Sequence, residues 1–336
     1  MFLEVDSLTK AFGAVQALGG VSFGCDRGRL VSLLGPSGCG KTTTLRILAG
    51  FDTADSGSLR LDGESLDGQT PEARRVGIVV QNYALFPHMS VGQNIAYGLR
   101  FKREGRSRGM SAAKRRARVG ELLEMMDLSG YEGRRPDQLS AGQQQRVAIA
   151  RVLAPEPRLV LFDEPLSALD ASLREHLRLE IRRIQRELGF TAVYVTHDQE
   201  EAMAISDRIV IIRDGLVEQE GSPCEIYEQP ASRFVATFVG RTSLIPADRL
   251  PGHPPQSPGV AVLRAERLSP QPIGAGSLTG RLVEVEYLGN IVRLHVRTGT
   301  GTVWAAIPGT SFSEWIGRRD EEITLYFDPD QTPVLP

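Results

Sequence analysis

The chain has 336 residues, 41% hydrophobic and 24% charged, with 39 Lys and Arg against 41 Asp and Glu. At roughly 100–200 residues per domain that length predicts two domains, and the apolar share excludes wholesale disorder. A net charge of −2 excludes a global basic field for nucleic acid or anionic membrane, so any such contact has to come from a local cluster.

Along residues 1–235, short β-rich runs alternate with longer helical stretches, the pattern of a parallel sheet flanked by helices. Leu30–Leu34 reads as a buried strand, because five apolar or small residues lie between Gly28 and Gly35. Strands are expected likewise at 76–80, 159–162, 192–195 and 209–212. Helices are expected at 42–49, Ala141–Leu153, Ala171–Leu188 and Gln199–Ile205, with Ser140 and Asp170 as N-caps. Lys102, Arg103, Arg106, Arg108, Lys114, Arg115, Arg116 and Arg118 form a basic run that reads as a solvated loop and helix face.

Near residue 235 the texture changes. Five prolines (246, 251, 254, 255 and 258) with Gly252 and Gly259 mark 246–259 as a linker or irregular loop. Beyond it, 280–297 alternates apolar and polar residues around Gly289 and Asn290, which reads as a hairpin within a small all-β module. The expected division is therefore 1–235 and 236–336.

Cys25, Cys39 and Cys224 are odd in number and far apart, fitting neither a disulfide framework nor a zinc spacing, and so a reducing compartment. No apolar run approaches the ~18 residues that span a bilayer, and 1–6 is too short and acidic for a signal peptide. A soluble chain is expected, with any membrane role reached through a separate partner.

The chemistry begins at Gly35, Pro36, Ser37, Gly38, Cys39, Gly40, Lys41 and Thr42, which match G-x-x-x-x-G-K-[ST] between a predicted strand and a predicted helix. Glycines let successive amides face one volume, and the helix dipole adds positive charge there. Lys41 is expected to reach the β- and γ-phosphates and Thr42 to ligate Mg²⁺. Asp163 ends a hydrophobic strand, placed to hold Mg²⁺ through water. Glu164 follows and is expected to polarise a water for in-line attack.

Leu139, Ser140, Ala141, Gly142, Gln143, Gln144, Gln145 and Arg146 lie 104 residues beyond Gly35. With them the chain resembles the ATP-binding subunits of ABC transporters, whose signature is Leu-Ser-Gly-Gly-Gln. Ala141 departs from that pattern. The resemblance implies a phosphate-loop (RecA-like) α/β fold, a parallel sheet with a helical subdomain around 82–155. It also implies a head-to-tail dimer in which each ATP lies between one copy's phosphate loop and the other's Ser140, Gly142 and Gln143. By the same resemblance Thr43 belongs to the nucleotide-binding set. Gln81 matches the glutamine that meets Mg²⁺ and the attacking water, and His197 the histidine at the γ-phosphate. Ser167 to Asp170 matches the loop linking the two sites, and Phe12 the aromatic that stacks on adenine. Residues 82–100, with Tyr83, Leu85, Phe86 and Met89, match the groove that receives a permease helix.

The tail, with Leu263, Arg264, Ala265, Glu266, Arg267 and Leu268, resembles the oligomer-binding-type (TOBE) C-terminal barrel-like domain of importer ATPases for sugars, polyamines, ferric iron, sulfate or phosphonates. Expected partners are thus a second copy, two transmembrane permease subunits and, indirectly, an extracytoplasmic solute-binding protein, with no nucleic acid. The expected location is the cytoplasmic face of the inner membrane. An ABC ATPase acting on DNA or ribosomes usually has paired nucleotide domains or long coiled-coil insertions, and neither occurs here. For an exporter ATPase the tail would be unusual.

Overall fold

The computed structural model describes residues 1–336 apart from 82, 101–102, 105–106, 109, 168 and 252–258, and apart from the side chains of 103–104 and 107–108. Lys102, Arg103, Arg106 and Arg108 of the basic run, and Pro254, Pro255 and Pro258 of the expected linker, therefore lie outside the described residues or side chains. Two compact units divide at Pro223/Cys224, so the second begins ahead of the 236 expected from composition.

In the first unit β1 (Leu3–Phe12), β2 (Val15–Cys25), β4 (Ser56–Leu61) and β5 (Glu64–Ser65) form an antiparallel sheet of order β2-β1-β4-β5. The main sheet contains β3 (Leu30–Leu34), β6 (Val76–Val79), β7 (Leu159–Asp163), β8 (Ala192–Thr196), β9 (Arg208–Arg213) and β10 (Leu216–Gly221). Its order is β10-β9-β3-β8-β7-β6, parallel throughout except for the edge pair β9–β10.

Burial on both faces explains why the central strands read as unbroken apolar runs. All five residues of β3 are buried. Along β7 the side chains alternate between two cores, as a period of two requires. Val160 and Phe162 join a core with Leu30, Tyr194 and the helices, whereas Leu159 and Leu161 join Val31, Leu33, Val193 and the antiparallel sheet.

The helical side is built from α2 (Val91–Ala96), α3 (Ala112–Met125), α4 (Ala141–Leu153), α5 (Ala171–Leu188) and α6 (Gln199–Ile205), while α1 (Lys41–Ala49) puts Leu45, Ile47 and Leu48 into the core shared with the antiparallel sheet. Helix α5 buries Leu177, Ile181, Ile184 and Gln185, one stripe at helical spacing. Asp170 caps its start and Gly189, in left-handed backbone, its end. Helix α3 carries Lys114, Arg115, Arg116 and Arg118, of which Arg118 pairs with Glu121 at 3.0 Å.

The second unit holds α7 (Pro223–Glu228), α8 (Arg233–Phe238) and two antiparallel sheets. One has the order β11 (Thr242–Pro246), β12 (Val260–Arg264), β17 (Val334–Leu335). The other orders β15 (Gly301–Pro308), β14 (Ile291–Thr298), β13 (Gly276–Tyr287), β16 (Glu322–Phe327). The β13–β14 hairpin turns at Gly289, φ +83, where Leu288 N donates to Ile291 O. Pro246, expected in the linker, instead closes β11, and a short 3₁₀ turn follows.

Arg264 organises this unit from within. It is 3% exposed, and its guanidinium donates to the carbonyls of Ala236, Val239 and Tyr227 and to Thr242 Oγ1. Removing it strands several buried acceptors, so Arg264→Ala is expected to cost the unit about 3 kcal/mol or more. Both tryptophans, Trp304 and Trp315, belong to this unit, so denaturant unfolding followed by their emission reads it selectively. An unchanged midpoint would contradict the assignment.

Candidate active site

Glycine shapes the loop that leaves β3. Gly38 and Gly40 sit at φ +80 and +107, left-handed backbone that a side chain resists. A Cβ on Gly40 would lie 2.6 Å from Ala17 O, and one on Gly35 2.1 Å from Ile212 O, so the loop can rest on β2 and β9 only because it is bare. Gly40 begins α1 with no side-chain cap, and the first turn holds no acid. The helix therefore keeps free N–H groups and an uncompensated positive end.

Lys41 is buried, and its ammonium donates to the carbonyls of Gly35 and Pro36, both at 2.8 Å, with Cys39 Sγ at 3.6 Å. Its charge is thus met by neutral oxygens rather than by a carboxylate. An anion of several oxygens would complete this cradle.

The neighbouring strands deliver acids and a histidine to the same edge. Since β3, β8, β7 and β6 are adjacent and parallel, the residues after each leave from one line. Asp163 closes β7 half-buried, and Glu164 follows at φ +44, an uncommon conformation for a residue with a side chain. That conformation is held by Glu164 N donating to Val195 O (3.0 Å) and by Ser167 N and Oγ donating to Glu164 O. His197 follows β8, and its Nδ1 lies 3.2 Å from Glu164 Oε2. Gln81 is exposed just past β6, which stops at Val79, one residue earlier than expected, leaving Val80 outside it.

The structure thus brings Glu164 and His197 into contact beside Asp163, on strands next to the phosphate loop. Thr42 is exposed and Thr43 half-buried on the first turn of α1. Phe12 ends β1 half exposed, with Lys10 Nζ 5.5 Å from its ring centre.

Ser140 caps α4 reciprocally. Its Oγ accepts from Gln143 N and Gln143 Oε1 accepts from Ser140 N, while Gln143 Nε2 donates to Tyr131 Oη. A Cβ on Gly142 would meet Leu177 Cδ2 at 3.0 Å. Among the described residues, no hydrogen bond or salt bridge links Ser140, Gly142, Gln143, Phe12 or Asp170 to the phosphate loop, Asp163, Glu164 or His197.

Sequence reading missed two arginines that hold these loops. Arg151 on α4 donates to Tyr83 O and Ala84 O, which follow Gln81 at positive φ. Arg174 on α5 pairs with Asp198, the residue after His197, at 3.0 Å. Both sit inside predicted helices, and no local pattern marks which loop a helix arginine grips.

Burial raises the Asp163 carboxyl above its ordinary value, and Glu164 raises it further. An acid raised in the folded state binds protons better folded than unfolded. Its share of stability is therefore lost as pH rises through the window above 3.8. Asp163→Asn is expected to raise the nucleotide-free melting temperature at pH 7 while weakening divalent-dependent nucleotide binding. Calorimetry showing a lower melting temperature would contradict this electrostatic account.

The ABC transporter family profile matches residues 18–167, and that of the TOBE domain matches 261–335. An Fe(3+) ions import ATP-binding protein of Rhizobium meliloti is 44% identical, over 90% of this chain and 89% of its own length. A sulfate/thiosulfate import ATP-binding protein of Chromobacterium violaceum is 46% identical, over 88% and 84%. A spermidine/putrescine import ATP-binding protein of Nitratidesulfovibrio vulgaris is 50% identical, over 73% and 65%. Among solved structures, the dimeric post-hydrolysis ATP-binding cassette MJ0796 bound to ADP and Pi aligns with TM-score 0.55 at 35% identity, over 66% of this chain and 98% of its own. The cbiO1 subunit of the cbiONQ transporter from Clostridium perfringens aligns with TM-score 0.61 at 28% identity, over 67% and 90%. With full-length relatives above 40% identity and a phosphate cradle of the kind their shared name requires, the chain belongs to the ABC transporter family, as an ATP-binding subunit that carries a TOBE domain.

Proposed function

We propose that the chain is the ATP-hydrolysing subunit of an importer, working as a head-to-tail pair on two transmembrane permease subunits at the inner membrane's cytoplasmic face. The solute belongs to the group its relatives serve, ferric iron, sulfate or polyamine being the candidates that their names supply. One observation carries the reading. The phosphate loop, Asp163 with Glu164, and His197 share the edge of one sheet, while among the described residues Ser140 and Gln143, at a second helix start, have no bond to them. A second copy turned about a twofold axis supplies that missing wall, and a dimeric relative supports the arrangement.

Mg²⁺ fits the donor set: the hydroxyl of Thr42, the amide oxygen of Gln81 and the single carboxylate of Asp163 are hard oxygens that leave room for water and phosphate. Asp163 closes its strand half-buried with the Glu164 carboxylate next to it, and Thr44, not Thr42, donates its hydroxyl to Gly40 O. When bound, the ion would neutralise phosphate charge. The remaining roles fall to the chain. Backbone amides of 38–43 and Lys41 hold the β- and γ-phosphates, and Phe12 offers a face to the base. Glu164 takes a proton from the attacking water, and His197 orients Glu164 and the γ-phosphate. Gln81 leads into 83–100, the surface proposed to grip the permease, so nucleotide occupancy there changes what the membrane partner feels. The compact second unit would steady the pair.

Glu164→Gln is expected to retain ATP yet lose steady-state turnover by about 10²–10⁴-fold, the span of a lost general base. Equilibrium nucleotide binding together with phosphate release checks this. Parental turnover would refute the role.

A further inference from the structure

The segments that carry Glu164 and His197 leave different strands, yet one side chain ties them together. Arg174 stands on the first turn of α5. Its Nη1 donates to Asp198 Oδ2 at 3.0 Å, its Nη2 donates to Leu169 O at 2.9 Å, and its Nε lies 3.9 Å from Glu201 Oε1. The planar fork thus donates in two directions at once, to a carboxylate and to a backbone carbonyl, while its buried Nε only faces the Glu201 carboxylate without a hydrogen bond.

Each partner is itself anchored. Asp198 Oδ1 accepts from the amides of Glu200 and Glu201 and so caps α6. Thr196 Oγ1 accepts from Asp198 N and donates to Glu201 Oε2, a buried carboxylate that also accepts from Tyr194 Oη. His197 is therefore clamped on both sides. Toward the other loop, Leu169 N donates to Leu166 O and Ser167 N to Glu164 O, so the grip on Leu169 O reaches Glu164 through consecutive turns.

We infer that Arg174 is a positioning residue: it fixes His197 against Glu164 and passes any displacement of Leu169 to that pair. The inference rests on the hydrolytic roles proposed above and adds the part that joins them. If Leu169 and Asp170 face the second copy, approach of that copy is felt at the γ-phosphate through this guanidinium. Arg174 has no bond to the phosphate loop among the described residues. Its loss should therefore spare nucleotide affinity and damage turnover.

The test uses the full chain with Mg²⁺ and ATP, comparing Arg174→Ala, Asp198→Asn, His197→Ala and Arg174→Ala/His197→Ala. Asparagine caps helices as well as aspartate, so Asp198→Asn breaks the tie while sparing α6, and it answers the question should Arg174→Ala fail to fold. The expected result is a fall of about tenfold or more in kcat for Arg174→Ala and Asp198→Asn with KM for ATP within about twofold, because misplacing a catalytic group by about 1 Å can cost 10²-fold. In single turnovers the double variant should be no slower than His197→Ala alone.

Parental kcat in both Arg174→Ala and Asp198→Asn, with His197→Ala inactive, would overturn the inference and leave the hydrolytic reading standing. So would a double variant much slower than His197→Ala. Parental turnover in His197→Ala would mean that the reading itself fails and takes the inference with it.

Discussion

Parallel pairing of β3, β8, β7 and β6 is the constraint on which the site depends. Neighbours in a parallel ladder all end at one edge, and at about 4.8 Å between strands these four span roughly 14 Å. The phosphate loop, His197, Asp163 with Glu164, and Gln81 each follow one of them. Both faces of these strands are packed, so a slip by one residue would push the side chains fitted to each core into the other. The register is consequently fixed by burial, and the chemistry inherits it without needing contacts of its own.

Charge at that edge is deliberately incomplete. Lys41 and the bare start of α1 have no acid to answer them, while Asp163 and Glu164 crowd each other a few strands away. Such an arrangement costs stability in the empty chain, and the anion and divalent cation proposed above would relieve it. The Glu164 backbone at positive φ belongs to the same pattern, since it persists only because Val195 and Ser167 hold it.

What could be read from the sequence was what is local. Leu30–Leu34, Ala141–Leu153, Ala171–Leu188 and Gln199–Ile205 have the expected bounds, because two-sided burial, caps and the helical period are written in consecutive residues. The phosphate loop was legible for the same reason. The antiparallel sheet of β1, β2 and β4 was not. Irregularities between Val5 and Leu8 and between Lys10 and Ala11, with Ser7 at φ +51, break the alternation that would announce it. The Arg174–Asp198 and Arg151–Tyr83 contacts cross 24 and 68 residues, and nothing in a one-dimensional pattern pairs them.

Under the proposed function one chain carries two separate halves of a reaction chamber: the phosphate loop at the sheet edge, and the capped helix at Ser140, which among the described residues makes no bond to it. Mixing two crippled chains tests this division most directly. Lys41→Ala removes the cradle's cation, and Ser140→Arg blocks the other helix start. Each alone should be nearly inactive. An equal mixture should regain roughly a quarter of the parental ATPase rate, since half the pairs formed at random hold one intact composite site of two. Full hydrolysis by the Ser140→Arg chain alone, or a mixture as silent as its components, would contradict the account.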